Sequence, residues 1–274
     1  MYYKFIRALN NNAVLATRDD GPEVILMGKG IGFGSPGSID PKSVDRAYIL
    51  SDYRDKSAYI ELLEQGDPDV FEAVSEIIFR ASETLGDLHP SIFPVLSGHV
   101  DFAIRRVRQG MAIENPLLPE IKSLYQDEYH VAVSAIELLN DRLGITLLAE
   151  EAGYIALHLG AARTNQDIKS ALRMTNAIND AIAEIEKRLQ IDFEPGPLYR
   201  QTVEFLRRLV QQADEARHVK NILLPDIRRL MPYELDMARA ISQRLASALE
   251  REIPEDEIGY FAIHLHYLQA VAQK

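Results

Sequence analysis

The chain has 274 residues, a formal net charge of −11 and no cysteine. The absence of cysteine excludes disulfide bonds, thiolate zinc sites and cysteine nucleophiles. The acidic charge argues against nucleic-acid binding over the whole surface, because neutralising phosphates requires clustered Lys and Arg. The N-terminus lacks a continuous apolar signal core, and no apolar run reaches the roughly 18 residues that a membrane helix needs. We therefore expect a soluble cytoplasmic protein.

The first fifty residues alternate short β-type segments with turn signals. Residues 1–55 carry seven Lys/Arg and seven Asp/Glu, so a small neutral domain here would read nucleic acid by stacking and hydrogen bonding rather than by charge alone. Because so small a sheet is only marginally stable alone, we expect it to dimerise through one face. The pattern predicts four antiparallel strands and a glycine-rich turn before the last one, at residues 2–9, 13–17, 23–27, 28–34 (the turn) and 46–50.

After Asp52 the apolar residues recur at helical spacing. Asp67-Pro68-Asp69 supplies an N-cap, a proline at the first helical position and an acidic first turn, and Gly86 marks the end of that helix. Similar apolar stripes cover residues 178–189 and 238–249. The remainder of the chain is therefore predicted to be all-α.

Most of this helical part is an internal duplication. GYIALHL at residues 153–159 returns as GYFAIHL at residues 259–265, so His158 and His264 lie 106 residues apart in equivalent positions. The same offset places the block that begins at Asn115 on the block that begins at Asn221 without a gap. Two homologous modules of about 100 residues are each large enough to bury a core. Their boundary is expected within residues 164–175, at the start of a long amphipathic helix.

The duplicated histidine indicates a function, although a lone His on an apolar helix is more often a hydrogen-bonded structural residue. A third histidine, His99, lies in GHVDFA. The second module has QTVEFL at the matching place, with Thr202 in the position of His99. A neutral imidazole can attack phosphorus and hold a phosphoryl group, which adds charge to its surroundings. The histidines are therefore candidate phosphoryl acceptors.

Metal binding is a weaker interpretation of the same residues. His264 and His266 are two residues apart, as are His99 and Asp101, so each pair points about 200° apart around a helix and cannot share one ion. Serine-nucleophile motifs and a phosphate-binding glycine loop are absent. We expect no metal, no cofactor and no catalytic residue. The alternative is a histidine phosphocarrier or relay enzyme in which the β unit serves only for dimerisation.

Three motifs together resemble the BglG/LicT/SacY family of transcriptional antiterminators. They are NNNAVLA, MGKGIGFG and the repeated GYxAxHL, and the glycine-rich wording is most similar to the glucose-responsive branch. The resemblance implies an α+β multidomain protein that is not an enzyme. Its implied parts are a small antiparallel β-sheet RNA-binding domain and two all-α helical-bundle regulation domains of the phosphotransferase system (PTS), at residues 1–57, 60–170 and 171–274.

The resemblance also implies a mechanism. A homodimer stabilises an antiterminator hairpin in the nascent mRNA of sugar-uptake genes, so that an overlapping terminator cannot form. The EIIB domain of a sugar permease phosphorylates the first regulation domain, and the histidine phosphocarrier protein acts on the second. The implied phosphorylation sites are His99, His158 and His264. The implied RNA contacts are Arg7, Asn12, Gly28, Lys29 and Phe33.

Overall fold

The computed structural model describes residues 3–18, 21–28, 30–33, 37–44, 46–49, 56–111, 113–194, 196–214 and 220–272. The chain divides into two compact units. Unit 1 contains the residues up to Glu114 together with Asp127–Gln166, and unit 2 contains Asn115–Gln126 together with the residues from Asp167 onward. Among the described residues, no helix is long and apolar enough to cross a membrane.

Unit 1 begins with an antiparallel sheet of five strands in the order β4-β1-β2-β3-β5. The fifth strand, β4, is a correction to the four that the sequence predicts. It is two residues long and pairs with the start of β1, where Ile39 lies opposite Tyr3. So short a strand shows no alternation that a sequence pattern could reveal. The strands are β1 (Tyr3–Asn10), β2 (Ala13–Arg18), β3 (Glu23–Met27), β4 (Ser38–Ile39) and β5 (Arg46–Ile49).

Strands β2 and β3 of this sheet are buried on both faces. Val14 and Leu26 belong to a core on one face, together with Ile31 from a short 3-10 turn at Ile31–Phe33. On the other face Ile25 and Met27 are at most 6% exposed. Both faces of β2 and β3 are therefore covered within one chain, whereas β1 keeps exposed positions such as Ile6, which is 42% exposed. Dimerisation through one face of the sheet stays a prediction.

The helices follow the sheet in chain order. The predicted bounds of the second one are confirmed: the Asp67 side chain accepts a hydrogen bond from the Asp69 amide at 3.0 Å, and Gly86 ends the helix with a φ of 84°. The helices are α1 (Lys56–Gln65), α2 (Pro68–Leu85), α3 (Ile92–Arg108), α4 (Leu118–Leu124), α5 (Gln126–Leu143), α6 (Ala149–Arg163), α7 (Ile168–Leu189), α8 (Pro197–Asp214), α9 (Leu224–Leu230), α10 (Pro232–Leu249) and α11 (Glu255–Ala272).

In unit 2 the block that begins at Asn221 touches the start of α11, which carries GYFAIHL. Both sequences are copies of sequences in the first module. The Asn221 amide donates to Asp256 Oδ1 at 3.0 Å, and Asn221 Nδ2 donates to the Asp256 carbonyl at 3.2 Å. Gly259, the first residue of GYFAIHL, lies against the same side chain, since a Cβ there would be 2.6 Å from Asn221 Nδ2. This contact sets α11, and with it His264, against the segment that precedes α9.

Helix α4 belongs to unit 2 although the repeat assigns its sequence to the first module. It packs on α7 and α8, and Leu124 is part of the hydrophobic core of unit 2. The Tyr199 hydroxyl donates to Glu120 Oε1 at 2.6 Å. Burial raises the pKa of Tyr199, and the hydrogen bond to Glu120 raises it further. In this segment the unit of sequence duplication and the unit of packing therefore differ.

Gly32 provides a test of how the loop after β3 is held. Its amide donates to the Asn11 carbonyl at 2.9 Å, and a Cβ at Gly32 would lie 1.9 Å from the Asn10 carbonyl oxygen. We expect Gly32→Ala to lower the opening free energy of β2 and β3 by about 1–3 kcal/mol, because backbone atoms must move apart. Hydrogen exchange of the β2 and β3 amides measures this change.

The matched control is Gly98→Ala on α3, where a Cβ would meet nothing within 4 Å beyond its own helix. Exchange of the α3 amides should be unchanged, or slower by up to about 1 kcal/mol, because alanine is the better helix former. Unchanged protection of β2 and β3 in Gly32→Ala would contradict the prediction.

Candidate functional sites: a loop face, a histidine pair and a histidine–threonine pair

The β1–β2 turn and the loop after β3 are joined by hydrogen bonds. The Gly28 amide donates to the Asn12 carbonyl at 3.0 Å, and the Gly30 amide donates to Asn12 Oδ1 at 2.8 Å. Asn10 Oδ1 accepts from the Asn12 amide at 2.8 Å. Gly30 has a φ of 72°, a left-handed conformation that favours glycine. The asparagine turn therefore holds Gly28 and Gly30 of the glycine-rich loop in defined positions.

This arrangement presents Phe33 to solvent. The residue ends the 3-10 turn, its amide donates to the Gly30 carbonyl at 3.1 Å, and it is 75% exposed. Phenylalanine is more often a core residue, but Phe33 is not part of the core in this chain. An exposed ring on an ordered loop is suited to stacking on an unpaired base.

Two of the other residues implied as RNA contacts, Asn12 and Gly28, also form hydrogen bonds that stabilise the loop. Gly28 is buried, and its amide is used by Asn12. The Asn12 carbonyl groups, main-chain and side-chain, are both occupied as acceptors, so its Nδ2 is the part left to read a base edge. Lys29 lies outside the described residues. The RNA-contact role of all three stays a prediction.

Arg7, the remaining implied RNA contact, lies on β1 with its side chain 49% exposed. It forms an ion pair with Glu64, which lies in the last turn of α1. Sequence reasoning missed this contact because the two residues are far apart in the chain and Glu64 belongs to no motif.

The first histidine pair lies between α3 and α6, which pack against each other. The rings of His99 and His158 have centroids 5.0 Å apart at an interplanar angle of 47°. Tyr154, one turn before His158, lies 5.9 Å from His99 by the same measure. The sequence analysis selected both histidines as candidate sites, and the fold brings their rings into contact.

A buried carboxylate completes this first site. Glu151 Oε2 is 3.3 Å from His99 Nε2, and Glu151 also forms an ion pair with Arg106. The side chains of Glu151 and Arg106 are 2% and 11% exposed. The contact does not meet hydrogen-bond geometry, but the negative charge beside Nε2 favours the tautomer with the proton on Nε2 and the lone pair on Nδ1. The sequence contained one signal for Glu151, its recurrence as Glu257 at the repeat offset.

Both imidazoles are held in the neutral form. Burial, assisted by the charge of Arg106, lowers the pKa of His99 from 6.5 to about 4. Burial, assisted by His99, lowers the pKa of His158 from 6.5 to about 3. At neutral pH each ring is therefore uncharged, which is the nucleophilic form of histidine.

The second module repeats this geometry with one substitution. His264 on α11 is 8% exposed, and its Nε2 lies 3.3 Å from Oγ1 of Thr202 on α8. Thr202 thus faces His264 as His99 faces His158, which confirms the predicted alignment of Thr202 with His99. The Thr202 hydroxyl donates to the Leu198 carbonyl at 3.0 Å, so its oxygen is free to accept from the ring.

An aromatic ring lies against the histidine of the second module. Phe205 stacks on His264, with centroids 4.5 Å apart and an interplanar angle of 1°. Burial, assisted by the charge of Arg208, lowers the pKa of His264 from 6.5 to about 4. His264 is therefore also a neutral imidazole, but it lacks a histidine partner.

Metal binding is the weaker interpretation of these histidines. Within the part of the chain that the structure describes, no three His, Asp or Glu side chains are grouped as a metal centre would require. An exposed aromatic ring on a loop of a small sheet, followed by duplicated helical modules with buried neutral histidines, is the arrangement expected of an RNA-binding regulator.

Comparison with known proteins leads to the same class. The family model "CAT RNA binding domain" matches residues 3–57, and the model "PRD domain" matches residues 72–162 and 179–268. The chain belongs to the BglG/LicT/SacY family of transcription antiterminators, in which these domains are combined. It is an RNA-binding antiterminator for nascent mRNA, controlled by PTS-dependent phosphorylation of its regulation domains, and not an enzyme.

Relatives match over nearly their whole length. Protein GlcT of Staphylococcus haemolyticus is 28% identical over 97% of this chain and 96% of its own. Transcription antiterminator LicT of Bacillus subtilis is 28% identical over 96% and 97%, and the GlcA/glcB genes antiterminator of Staphylococcus carnosus is 30% identical over 99% and 98%. The crystal structure of GlcT CAT-PRDI is 35% identical, with a TM-score of 0.56 over 60% of this chain and all of that one.

The lowered histidine pKa values predict a pH-dependent stability. Between pH 6.5 and about 4 the unfolded chain protonates His158 whereas the folded chain does not, so the free energy of unfolding decreases as the pH falls. Each such histidine contributes up to about 1.4 kcal/mol per pH unit. Urea unfolding of unit 1 between pH 4.5 and 7 should show a smaller decrease for His158→Gln than for the parent protein.

The control for this prediction is His130→Gln, a substitution of an exposed histidine on α5 of the same unit. It should keep the pH dependence of the parent protein. Equal slopes for the parent and His158→Gln would mean that the His158 ring is not protected from protonation in the folded state.

Proposed function

We propose that the chain acts in the cytoplasm as a homodimer that clamps an antiterminator hairpin, through an RNA-binding domain at residues 1–57. Two regulation domains follow at residues 60–170 and 171–274. Relatives named after glc genes and the MGKGIGFG motif favour a sugar-uptake operon of the glucose-responsive branch as the target. The proposed RNA contacts are Arg7, Asn12, Gly28, Lys29 and Phe33.

The observation that carries this proposal is the 75% exposure of Phe33 on a loop that several hydrogen bonds keep in place. Stacking on an exposed aromatic ring requires a base outside a continuous duplex, as in the loops and bulges of an RNA hairpin. With the carbonyl groups of Asn12 occupied, its Nδ2 donors supply the hydrogen bond to a base edge. Arg7 supplies a cation for a neighbouring phosphate.

We propose His99, His158 and His264 as the phosphorylation sites. At His99 the Nδ1 lone pair attacks the phosphorus of the donor, a P–N bond forms as the bond to the donor breaks, and the proton on Nε2 stays beside Glu151. The proposed donors are the EIIB domain of a sugar permease for the first module and the histidine phosphocarrier protein for the second. His264 is the one proposed acceptor of the second module.

Phosphorylation would change the balance of charge between α3 and α6. The His99 side chain is 16% exposed, so a donor reaches the ring only when these helices separate. The phosphoryl group adds a charge of about −1.5 to −2 next to Glu151. Repulsion between the two groups stabilises a separated arrangement of helices. We infer that this arrangement re-registers the dimer and inactivates RNA binding.

A binding titration of the full-length chain tests the RNA-binding proposal. The probes are leader RNA hairpins that overlap a terminator, the equivalent DNA hairpin and a scrambled RNA, at physiological salt. Phe33→Ala should weaken binding to the cognate RNA by about five- to a hundredfold, which corresponds to the loss of one stacked base. Phe79→Ala, at an exposed phenylalanine of α2, is the control and should bind as the parent protein does. Equal affinity for all three nucleic acids would favour the phosphocarrier alternative.

Antitermination in cells tests the histidine proposal. The His99→Asp/His158→Asp pair places negative charge between α3 and α6, so it should lower antitermination several-fold even in cells supplied with sugar. The His99→Ala/His158→Ala pair removes the acceptors, so it should remain active without sugar. His130→Asp controls for adding charge elsewhere in the same unit. Full activity of the Asp pair would contradict the proposal. So would a loss of sugar control in His130→Asp but not in the variants of His99 and His158.

A further inference from the structure

The last turn of α1 is attached to the RNA-binding sheet at two neighbouring points. Glu64 forms an ion pair with Arg7 on β1. One residue earlier, the Leu63 carbonyl accepts a hydrogen bond from Asn10 Nδ2 at 2.9 Å. The last carbonyls of a helix have no partner within the helix, so Asn10 satisfies one of them from outside. Leu63 is fully buried, which fixes the position of α1 next to β1.

We propose that Glu64 is an internal competitor for the RNA phosphate at Arg7, so that the docked α1 lowers the affinity for RNA. The inference rests on the proposed function, which assigns a phosphate to Arg7. Glu64 is paired with Nη1 of Arg7, so a phosphate that binds the guanidinium through the fork that includes Nη1 has to displace the carboxylate. A carboxylate at this place also repels an approaching phosphate.

The position of α1 connects this contact with the regulatory histidines. Helix α1 packs against β1 on one side and also contacts α3, the helix that carries His99. All three elements belong to unit 1. A movement of α3 that carries α1 with it would therefore change how firmly Glu64 holds Arg7.

The effect of the contact is modest because both partners are partly in water. The Arg7 and Glu64 side chains are 49% and 35% exposed. Ion pairs at such exposure have small free energies, which correspond to changes in affinity of about two- to fivefold. A change in affinity of this size weakens RNA binding but does not abolish it.

Glu64→Gln and a matched variant on the same helix test the inference. Glu61 lies one turn earlier on α1 and accepts a hydrogen bond from Gln65 at 3.1 Å rather than pairing with the sheet. Glu61→Gln therefore removes the same charge without releasing Arg7. The full-length parent and both variants are titrated with the cognate leader RNA hairpin at low and physiological salt. Glu64→Gln should bind about two- to fivefold more tightly than Glu61→Gln, and this advantage should disappear when both are combined with Arg7→Ala.

Two results would overturn the inference. If Glu64→Gln binds no more tightly than Glu61→Gln, Glu64 does not compete with RNA. If the advantage persists with Arg7→Ala, it does not act through Arg7. The parent protein tests the proposed function separately. If the parent binds no hairpin, both proposals are overturned. If the parent binds the hairpin but Glu64→Gln and Glu61→Gln bind with equal affinity, only this inference is overturned.

Discussion

The regulatory part of this protein depends on imidazole rings held away from water between paired helices. Desolvation keeps His99 and His158 neutral, with pKa values of about 4 and 3, and a neutral ring is the form that accepts a phosphoryl group. The same burial makes unbalanced charge costly, so Glu151 requires Arg106 beside it. A site that tolerates only balanced charge responds strongly when a phosphoryl group is added, which is what a switch needs.

The two modules show how one scaffold carries different chemistry. The helix pair α8 and α11 holds Thr202 against His264, as α3 and α6 hold His99 against His158. In the second module the hydroxyl of Thr202 hydrogen-bonds the ring, and the stacked ring of Phe205 covers it. One module thus presents two adjacent histidines and the other presents one. A common fold therefore does not imply a common response to phosphorylation.

The RNA-binding end follows a different principle, because its candidate contacts Asn12, Gly28 and Phe33 lie on loops rather than on a rigid helix pair. Hydrogen bonds from the glycine-rich loop to the asparagine turn replace the rigidity that a regular element would provide. Asn10 takes part in this network and also caps α1. One residue therefore links the ordering of the loop to the docking of the helix that leads into the regulatory part.

Sequence by itself determined the features that depend on local pattern or on copying. Asp67, Pro68 and Gly86 mark the ends of α2 because caps act within one turn, and the repeat identified His158 and His264 because both were copied with their surroundings. The sequence also predicted that a β unit is followed by two helical modules. Only the tertiary structure decided which distant residues meet: His99 with His158, Arg106 with Glu151, and Arg7 with Glu64. It also decided that α4 joins unit 2 and that β4 pairs with β1, because such contacts depend on packing between elements, which a one-dimensional pattern does not record.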